Sequence, residues 1–269
     1  MIKGVIHAHS TYSYDGENSI TEISQWATNN NLNFVILAEH DNTFDVVTFK
    51  KFKTECKKLS TSQFVIIPGI EYSFGENGNI HVTVFGNNTF IKEKSLDSFL
   101  DIVHENNGVA ILNHPFSYRD KIINDILKKF DFMEIWNIKY DYSYAPYRVL
   151  LNLARKYKLK AIISSDIHKF PSNVFGAIQI CSSVSQPINE NLIMNKLKNR
   201  EYFCKFGNWE ITPNAKIINY SFYRKILTSL TLYHGYCYAK LRKIMQKIGY
   251  KPPKKLVDLL KQNFKKDEH

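Results

Sequence analysis

The chain has 269 residues, of which 44% are apolar, and this composition is sufficient for one large hydrophobic core. It has no run of 18 or more apolar residues and no secretion-signal pattern at its N-terminus, so we expect neither a transmembrane helix nor export. Its four cysteines form no Cys-x-x-Cys pair, which favours a reducing, cytoplasmic location.

The net charge of +11 is concentrated at the C-terminal end of the chain. Residues 205–269 hold 14 basic and 4 acidic residues, whereas residues 1–204 hold 22 basic and 21 acidic residues. A basic segment of this kind can contact nucleic acid or an anionic membrane surface. A general compositional bias towards Lys, Asn and Ile is the alternative explanation, and the sequence leaves it open.

Short apolar runs typical of β-strands recur along the first 180 residues, and helical patterns separate most of them. In chain order the predicted strands are 3–6, 34–37, 64–67, 80–85, 109–112, 132–136, 161–163 and 176–180. Strands that alternate with helices predict an α/β fold with a parallel, barrel-like sheet. Because the pattern ends near residue 207, we predict a barrel domain over residues 1–207 and an extension over residues 208–269.

Helix signals lie between the predicted strands. Ser19 and Glu22 form a capping-box pattern, and Ser95 is placed to cap a second helix. Pro146 suits the first turn of a third helix. The connection between the third and fourth strands is only about a dozen residues long, so the fourth strand is predicted to run antiparallel to the third.

Histidines and acidic residues follow the ends of most predicted strands. Because barrel enzymes carry their active sites at the carboxyl ends of the strands, we expect these side chains to converge on one rim. Alternation along the first strand would aim His7 and His9 at the same point. Imidazole and carboxylate groups together suit zinc, manganese and iron. Three other histidines, His104, His234 and His269, are expected to be structural.

Six ordered motifs, HAHSTYSYDG, AEHDN, GIEYS, NIHVTVFG, NHPF and SSDIH, resemble the polymerase and histidinol phosphatase (PHP) family of metal-dependent phosphoesterases. The residues that carry the resemblance span residues 7–168. It implies a distorted (β/α)7 TIM-like barrel, here with a basic helical C-terminal extension. It also implies a cluster of two or three divalent metal ions, which would be manganese, iron or zinc.

The family's ligands transfer onto this sequence residue by residue. They would be His7, His9, Glu71 and Asp166 for the first metal; Glu71, His81 and His114 for the second, with Glu71 bridging; and Asp15, His40 and His168 for the third. Some members have histidine where this chain has Asp15, and many have aspartate where it has Glu39. Glu39 could accept a hydrogen bond from a ligand imidazole.

Two adjacent cations would lower the pKa of a bridging water, and the resulting hydroxide would attack phosphorus in line. The predicted catalytic residues are Glu71 and Asp166 in the cluster, with Arg119 and Lys169 as cations for the substrate phosphate. Lys139 and Arg148 are further candidates for that second role. No Gly-x-Ser-x-Gly or Cys-His arrangement offers a protein nucleophile instead.

The predicted function is hydrolysis of a phosphate ester of a small metabolite or nucleotide by a metal-dependent phosphoric ester hydrolase. A metal-dependent exonuclease, with the basic extension along the phosphate backbone, is an alternative. A catalytically silent metal-binding module is a third possibility, which the full set of ligand positions disfavours. The sequence leaves the oligomeric state open.

The C-terminal extension has its own pattern. Apolar residues recur at steps of three or four between residues 226 and 248, which predicts an amphipathic helix. A stripe of lysines lies beside that face: Lys240, Lys243, Lys247 and Lys251. The helix either docks its apolar face on the barrel or presents the lysines to a polyanion such as nucleic acid or an anionic membrane.

Overall fold

The computed structural model describes residues 1–75, 78–117, 124–141, 148–172, 174–181, 187–207 and 209–218. The strands in these ranges are β1 Ile2–Ala8, β2 Phe34–Leu37, β3 Glu39–His40, β4 Val65–Ile67, β5 Gly69–Phe74, β6 Ile80–Phe85, β7 Val109–Leu112, β8 Phe132–Asn137, β9 Lys160–Ser164, β10 Ala177–Ile180, β11 Tyr202–Phe206 and β12 Trp209–Ile211. The helices are α1 Ile20–Asn29, α2 Val46–Leu59, α3 Leu96–Glu105, α4 Asn124–Leu127, α5 Ile138–Asp141, α6 Arg148–Tyr157 and α7 Glu190–Lys198.

The strands form two six-stranded sheets in a mixed α/β fold. The first has the order β12-β11-β10-β1-β2-β4, and the second has the order β3-β5-β6-β7-β8-β9. The predicted strands all recur in these sheets, with bounds that differ by a few residues. The sequence analysis did not predict β11 and β12, which form an antiparallel hairpin beside β10.

The two sheets meet along two seams rather than closing into one sheet. At the first seam only Ala38 separates β2 from β3, which belong to different sheets. At the second, the residues after β9 bond to β1: Ser165 N donates to Ile6 O at 3.1 Å and Ile167 N to His7 O at 3.2 Å. A continuous seven-stranded barrel sheet is therefore not confirmed.

The orientation of β6 is as predicted. It pairs antiparallel with β5 and with β7, whereas β7, β8 and β9 run parallel to one another. As a result the start of β6 lies beside the second half of β5, with His81 opposite Ser73. The short connection therefore places His81 of β6 close to the side chains of β5.

The helices begin largely where the sequence indicates. Ser19 and Glu22 make the predicted capping box at α1. Ser95 precedes α3 but caps nothing with its side chain; instead its backbone N–H donates to Glu93 at 2.8 Å. Pro146 lies outside the described residues, and α6 begins two positions later at Arg148.

The core lies between the sheets and the helices that cover them. It contains fully buried aromatic side chains such as Phe34, Phe52, Phe99 and Trp136. Each side chain of this size contributes about 1.5–3 kcal/mol through removal from water. In the described part of the chain, no helix has both the length and the apolar composition that a membrane crossing requires.

The paired structure continues past residue 207. Glu210 pairs with Lys205, and Ile211 is fully buried. The carbonyl of Pro213 accepts a hydrogen bond of 2.8 Å from Ala161 N in β9. The domain boundary at residues 207 and 208 stays a prediction, and the predicted helix with its lysine stripe lies outside the described residues.

Candidate metal centre

Nine side chains from seven segments of the chain converge on one rim, where the sheets meet. Their nitrogen and carboxylate atoms form three groups in which all donor atoms lie within 4.8 Å of one another. The groups are His7, His9 and Asp166; Glu71, His81 and His114; and His9, Asp15, His40 and His168. These are the nine predicted ligand positions, brought together by the fold.

His7 reaches the cluster through an irregularity in β1. The register between β1 and β2 shifts between Ile6 and Ala8, and His7 has a φ of 72°, in the left-handed region. A bulge of this kind re-aims the side chain of the extra residue. The rings of His7 and His9 consequently lie 5.1 Å apart. The simple alternation argument is therefore wrong, although both rings do face the cluster.

Two further cluster residues have left-handed backbone. His114 has a φ of 28° and Asp166 a φ of 49°, each directly after a strand. Non-glycine residues in this region are strained by about 1–3 kcal/mol each, and such positions concentrate at functional sites. The fold therefore holds three cluster residues, His7 included, in conformations that cost stability.

Glu71 lies at the centre of the cluster. Its Oε2 is 3.5 Å from Nε2 of His7 and 3.4 Å from Nδ1 of His40. Its Oε1 is 3.2 Å from Nδ1 of His81 and 3.4 Å from Nε2 of His114. One carboxylate thus faces imidazoles on both sides, which is the arrangement a bridging ligand requires.

The two buried acids of the cluster stay ionised. Burial disfavours a charged carboxylate, but the imidazoles of His7, His114 and His81 outweigh it and hold the pKa of Glu71 well below its ordinary value. Burial likewise opposes the charge of Asp166, yet His7 and His9 hold its pKa well below the ordinary value.

Asp15 joins the rim from the loop after β1. Its carboxylate oxygens lie 3.2 Å from Nε2 of His40 and 3.0 Å from Nε2 of His168. The loop is closed tightly by Gly16, where a Cβ atom would lie 2.0 Å from the backbone oxygen of Ser10. Only glycine fits this close approach, so the tight turn at Gly16 sets the position of Asp15.

Glu134 is a buried residue of the site that the sequence analysis missed. Its Oε1 lies 2.7 Å from Nδ1 of His7, and its Oε2 accepts a hydrogen bond of 2.7 Å from the backbone N–H of His114. Because a carboxylate only accepts, Nδ1 of His7 carries a proton, and Nε2 is the ring nitrogen that faces the cluster. The sequence feature that could have pointed to Glu134 is an acidic residue inside the otherwise apolar run 132–136.

Glu39 acts on the cluster through a serine. Its carboxylate accepts from the hydroxyl of Ser13 at 2.5 Å and from the backbone N–H of Ser10 at 2.9 Å. The Ser13 oxygen in turn lies 3.2 Å from Nδ1 of His9. Burial raises the pKa of Glu39 to about 7, although the hydrogen bonds from both serines act to lower this pKa. The predicted contact between Glu39 and a ligand imidazole is therefore indirect.

The free donor atoms fit a metal. Nε2 of His7 and Nε2 of His9 are buried and make no hydrogen bond within the described residues. Burial lowers the pKa of His9 to about 4, so its ring is neutral and keeps a lone pair. Buried polar atoms that make no hydrogen bond are costly unless an ion occupies the space between them. Imidazole with carboxylate is the donor set of zinc, manganese and iron.

The predicted phosphate-binding cations lie in different surroundings. Lys169 is 74% exposed and forms an ion pair of 2.6 Å with Glu17, outside the cluster. Arg119 lies outside the described residues. Lys139, in α5, lies much closer: its Nζ is 3.4 Å from Oδ1 of Asp166. His104, expected to be structural, forms a surface pair of 3.2 Å with Asp131.

Two exposed aromatic side chains flank the cluster. Tyr14 is 69% exposed and stacks on His40 with ring centroids 4.9 Å apart. Tyr140 is 38% exposed and packs on His114 with centroids 4.7 Å apart. Each tyrosine therefore covers one cluster imidazole with one face and leaves part of its ring to solvent, where a planar group can stack.

Several solved structures of other proteins share this fold. The chain is similar to a two-domain protein of Bacteroides vulgatus described as containing a predicted PHP-like metal-dependent phosphoesterase, with 18% identity and a TM-score of 0.58. That match covers 78% of this chain and 66% of the other. PsfC from Pseudomonas syringae matches with 13% identity and a TM-score of 0.55, covering 89% of this chain and 99% of PsfC.

An amidohydrolase from Chromobacterium violaceum with bound sulfate matches with 13% identity and a TM-score of 0.51, covering 78% of this chain and 98% of the other. No curated protein matches the chain. The family model of the PHP domain matches residues 6–268, which is nearly the whole length. That match shows that this protein belongs to the PHP domain family.

Proposed function

We propose that this protein is a metal-dependent phosphoesterase that hydrolyses a phosphate ester of a small metabolite or nucleotide. The observation that supports it most is the pair of buried Nε2 atoms of His7 and His9, which make no hydrogen bond within the described residues and face Glu71. Two or three divalent ions, manganese, iron or zinc, would be held by the nine cluster residues in the groups that the sequence predicts. When bound, such ions supply Lewis acidity towards phosphate oxygens and towards water.

The chain's own residues prepare this site. Glu134 keeps the proton of His7 on Nδ1, and Ser13 does the same for His9, because its hydroxyl donates to Glu39 and accepts from the ring. Both rings therefore offer Nε2. Glu71 and Asp166 remain anionic in spite of their burial. The rigid strands around them limit rearrangement when the site is used.

We also propose that the two sheets are the halves of one distorted barrel. Its seven strands, in order, would be β1, β2, β5, β6, β7, β8 and β9. Support comes from the two seams at Ala38 and at Ser165 to Ile167. In such a barrel, the cluster occupies the end that carries active sites in barrel enzymes.

The flanking tyrosines favour a substrate with a planar group, such as a nucleoside monophosphate. A ring that stacks on Tyr14 or Tyr140 would place its phosphate above the cluster. The test is a panel of nucleotides and sugar phosphates assayed with protein purified without chelator, whose metal content is measured at the same time. Release of phosphate from some members of the panel by metal-bearing protein is expected. No release from any phosphate ester by fully loaded protein would contradict the proposal.

An exonuclease is a second candidate, favoured by a groove that is rich in lysine. The groove has a volume of about 610 Å³, and its lining includes Lys50, Lys51, Glu55 and Lys58 of α2 and Tyr12 of the Asp15 loop. A phosphate backbone could contact these lysines. Shortening of a labelled oligonucleotide one nucleotide at a time, inhibited by salt, would favour this activity. Release of phosphate from mononucleotides alone would exclude it.

A further inference from the structure

Lys139 lies directly against two of the predicted metal ligands. Its Nζ is 3.1 Å from each ring nitrogen of His168 and 3.4 Å from Oδ1 of Asp166. The same carboxylate oxygen lies 3.2 Å from Nδ1 of His168. The ammonium group therefore contacts one ligand from the first predicted set, Asp166, and one from the third, His168.

The remaining contacts of Lys139 leave its side chain able to move. The residue is in α5, a short helix that follows β8, and its backbone N–H donates to Asn137 at 3.1 Å. Its side chain is 39% exposed and passes beside the ring of Tyr140, with Nζ 5.4 Å from the ring centroid. A lysine stem of four carbons can carry its charge several ångströms while the backbone stays fixed.

An ammonium group and a divalent ion cannot share this space. Both are cations, and both would contact His168 beside the carboxylate of Asp166 within a site of low dielectric constant. Whichever cation is present excludes the other. In the metal-free protein, Lys139 offsets the negative charge of Asp166 and satisfies His168, as an ion would.

We propose that Lys139 is an internal competitor for the third metal ion and that entry of this ion releases its ammonium group to bind the substrate phosphate. The inference rests on the proposed metal cluster. Competition from Lys139 makes the third metal site the weakest of the three, because an incoming ion must displace a charged side chain that already has partners. It also assigns the phosphate-binding role to Lys139 rather than to Lys169, which is paired with Glu17.

The test compares two neutral variants at neighbouring lysines. Lys139→Met removes the competing charge and keeps the apolar stem, whereas Lys169→Met removes the same charge beside His168 without opening the cluster. Manganese is titrated into metal-free protein with no substrate present. Lys139→Met is expected to tighten the weakest site by about fivefold or more, the size of a typical coupling between two ligands. Lys169→Met is expected to leave that affinity within about twofold, as a screened surface charge would.

A second measurement addresses the phosphate. Inorganic phosphate is titrated into manganese-loaded wild type and into loaded Lys139→Met. Binding to the variant should be weaker by about tenfold, the loss expected for one charge-assisted hydrogen bond. Lys139→Gln serves as a second variant, and thermal melting verifies that both variants fold.

Three results would overturn the inference. The first is an unchanged manganese affinity in Lys139→Met, and the second is an equal gain in both lysine variants, which would indicate general surface charge. The third is unaltered phosphate binding by the loaded variant, which removes the phosphate role. Both titrations proceed without turnover. Lack of hydrolysis by the wild type would therefore contradict the proposed function and leave the Lys139 result interpretable.

Discussion

The carboxylate of Glu134 joins two cluster residues from different strands: its Oε1 is 2.7 Å from Nδ1 of His7, and its Oε2 accepts the backbone N–H of His114 at 2.7 Å. Both the Glu134 and the His7 side chains are only 1% exposed. One buried side chain outside the ligand set therefore orients an imidazole from β1 and the backbone that follows β7.

Replacing Glu134 by Gln should weaken metal binding without removing a ligand. The amide keeps one acceptor and places a donor at the other position, so either Nδ1 of His7 or the His114 N–H loses its partner. Loss of such an outer partner typically costs about 10–100-fold in metal affinity. Competitive titration with a chelating dye measures it. Glu190→Gln, a partly buried acid in α7 remote from the cluster, is the control, and equal affinities in both variants would contradict the role of Glu134.

Removing Glu71 should abolish turnover and lower metal content. This carboxylate faces imidazoles on both sides, and without it four imidazoles lose their shared counter-charge: those of His7, His40, His81 and His114. Loss of a hydrogen-bond partner behind a ligand already costs about 10–100-fold in metal affinity or activity. Glu71→Ala removes a ligand itself and should therefore lose at least about 100-fold in activity. Elemental analysis beside an activity assay measures both losses. Glu105→Ala, at the exposed end of α3, controls for loss of an acid, and a fully active Glu71→Ala protein would rule out the bridging role.

The third group can be separated from the other two through Asp15. Its carboxylate contacts His40 and His168 and neither His7 nor Glu71. Asp15→Asn should therefore reduce the rate and the content of one metal ion while two ions stay bound. Metal content per chain, measured before and after brief dialysis against a weak chelator, is the readout. Equal loss of all ions would mean that the division of ligands is incorrect.

Chelation should lower the melting temperature of the whole protein. An ion present at about 100 times its dissociation constant stabilises the folded state by about 2.7 kcal/mol. For a domain of this size, that corresponds to roughly 5–10 °C. Differential scanning fluorimetry with excess manganese, and then with EDTA, measures the shift. The same comparison in Glu71→Ala should give a much smaller difference, and a shift that persists there would indicate binding elsewhere.

The C-terminal extension can be removed at a position that the fold suggests. A chain that ends at residue 218 keeps β12 and the hydrogen bond from Ala161 to Pro213. It should retain its metals and its activity on small phosphate esters. A chain that ends at Gly207 loses the burial of Ile211, worth about 1.5–3 kcal/mol, and should melt at a lower temperature.

If the extension binds a polyanion, the same shortened chain should lose salt-sensitive binding to oligonucleotides or anionic vesicles. Binding to each is compared between the full chain and the chain that ends at residue 218, at low and at moderate salt. Full-length protein that binds neither polyanion even at low salt would show that the lysine stripe has no such role.

Much of the strand order and most of the rim could be predicted from the sequence because they depend on local patterns. Apolar runs such as 34–37 are read from composition, and the antiparallel β6 follows from the shortness of one connection. The convergence of His40, Glu71 and His168 then follows from the rule that the ends of parallel strands share one edge.

What remained hidden depends on contacts between distant residues. Glu134 is 127 positions from His7 along the chain, so no local pattern relates them. The role of Glu39 needs Ser13 as an intermediary, and the contact of Lys139 with His168 needs the fold that brings the helix α5 to the residues after β9. The hairpin of β11 and β12 was likewise missed; both of its strands come after the last predicted strand, 176–180.

The sequence by itself determined which residue types lie at the rim, because strand ends and ligand spacing are properties of the order of amino acids. Only the tertiary structure decided how those residues are aimed. His7 faces Glu71 because a bulge turns its backbone to a φ of 72°, against the alternation that a regular strand would impose. Such strain is tolerated only where surrounding contacts over-determine it, here Glu134 on one side and the seam between the two sheets on the other.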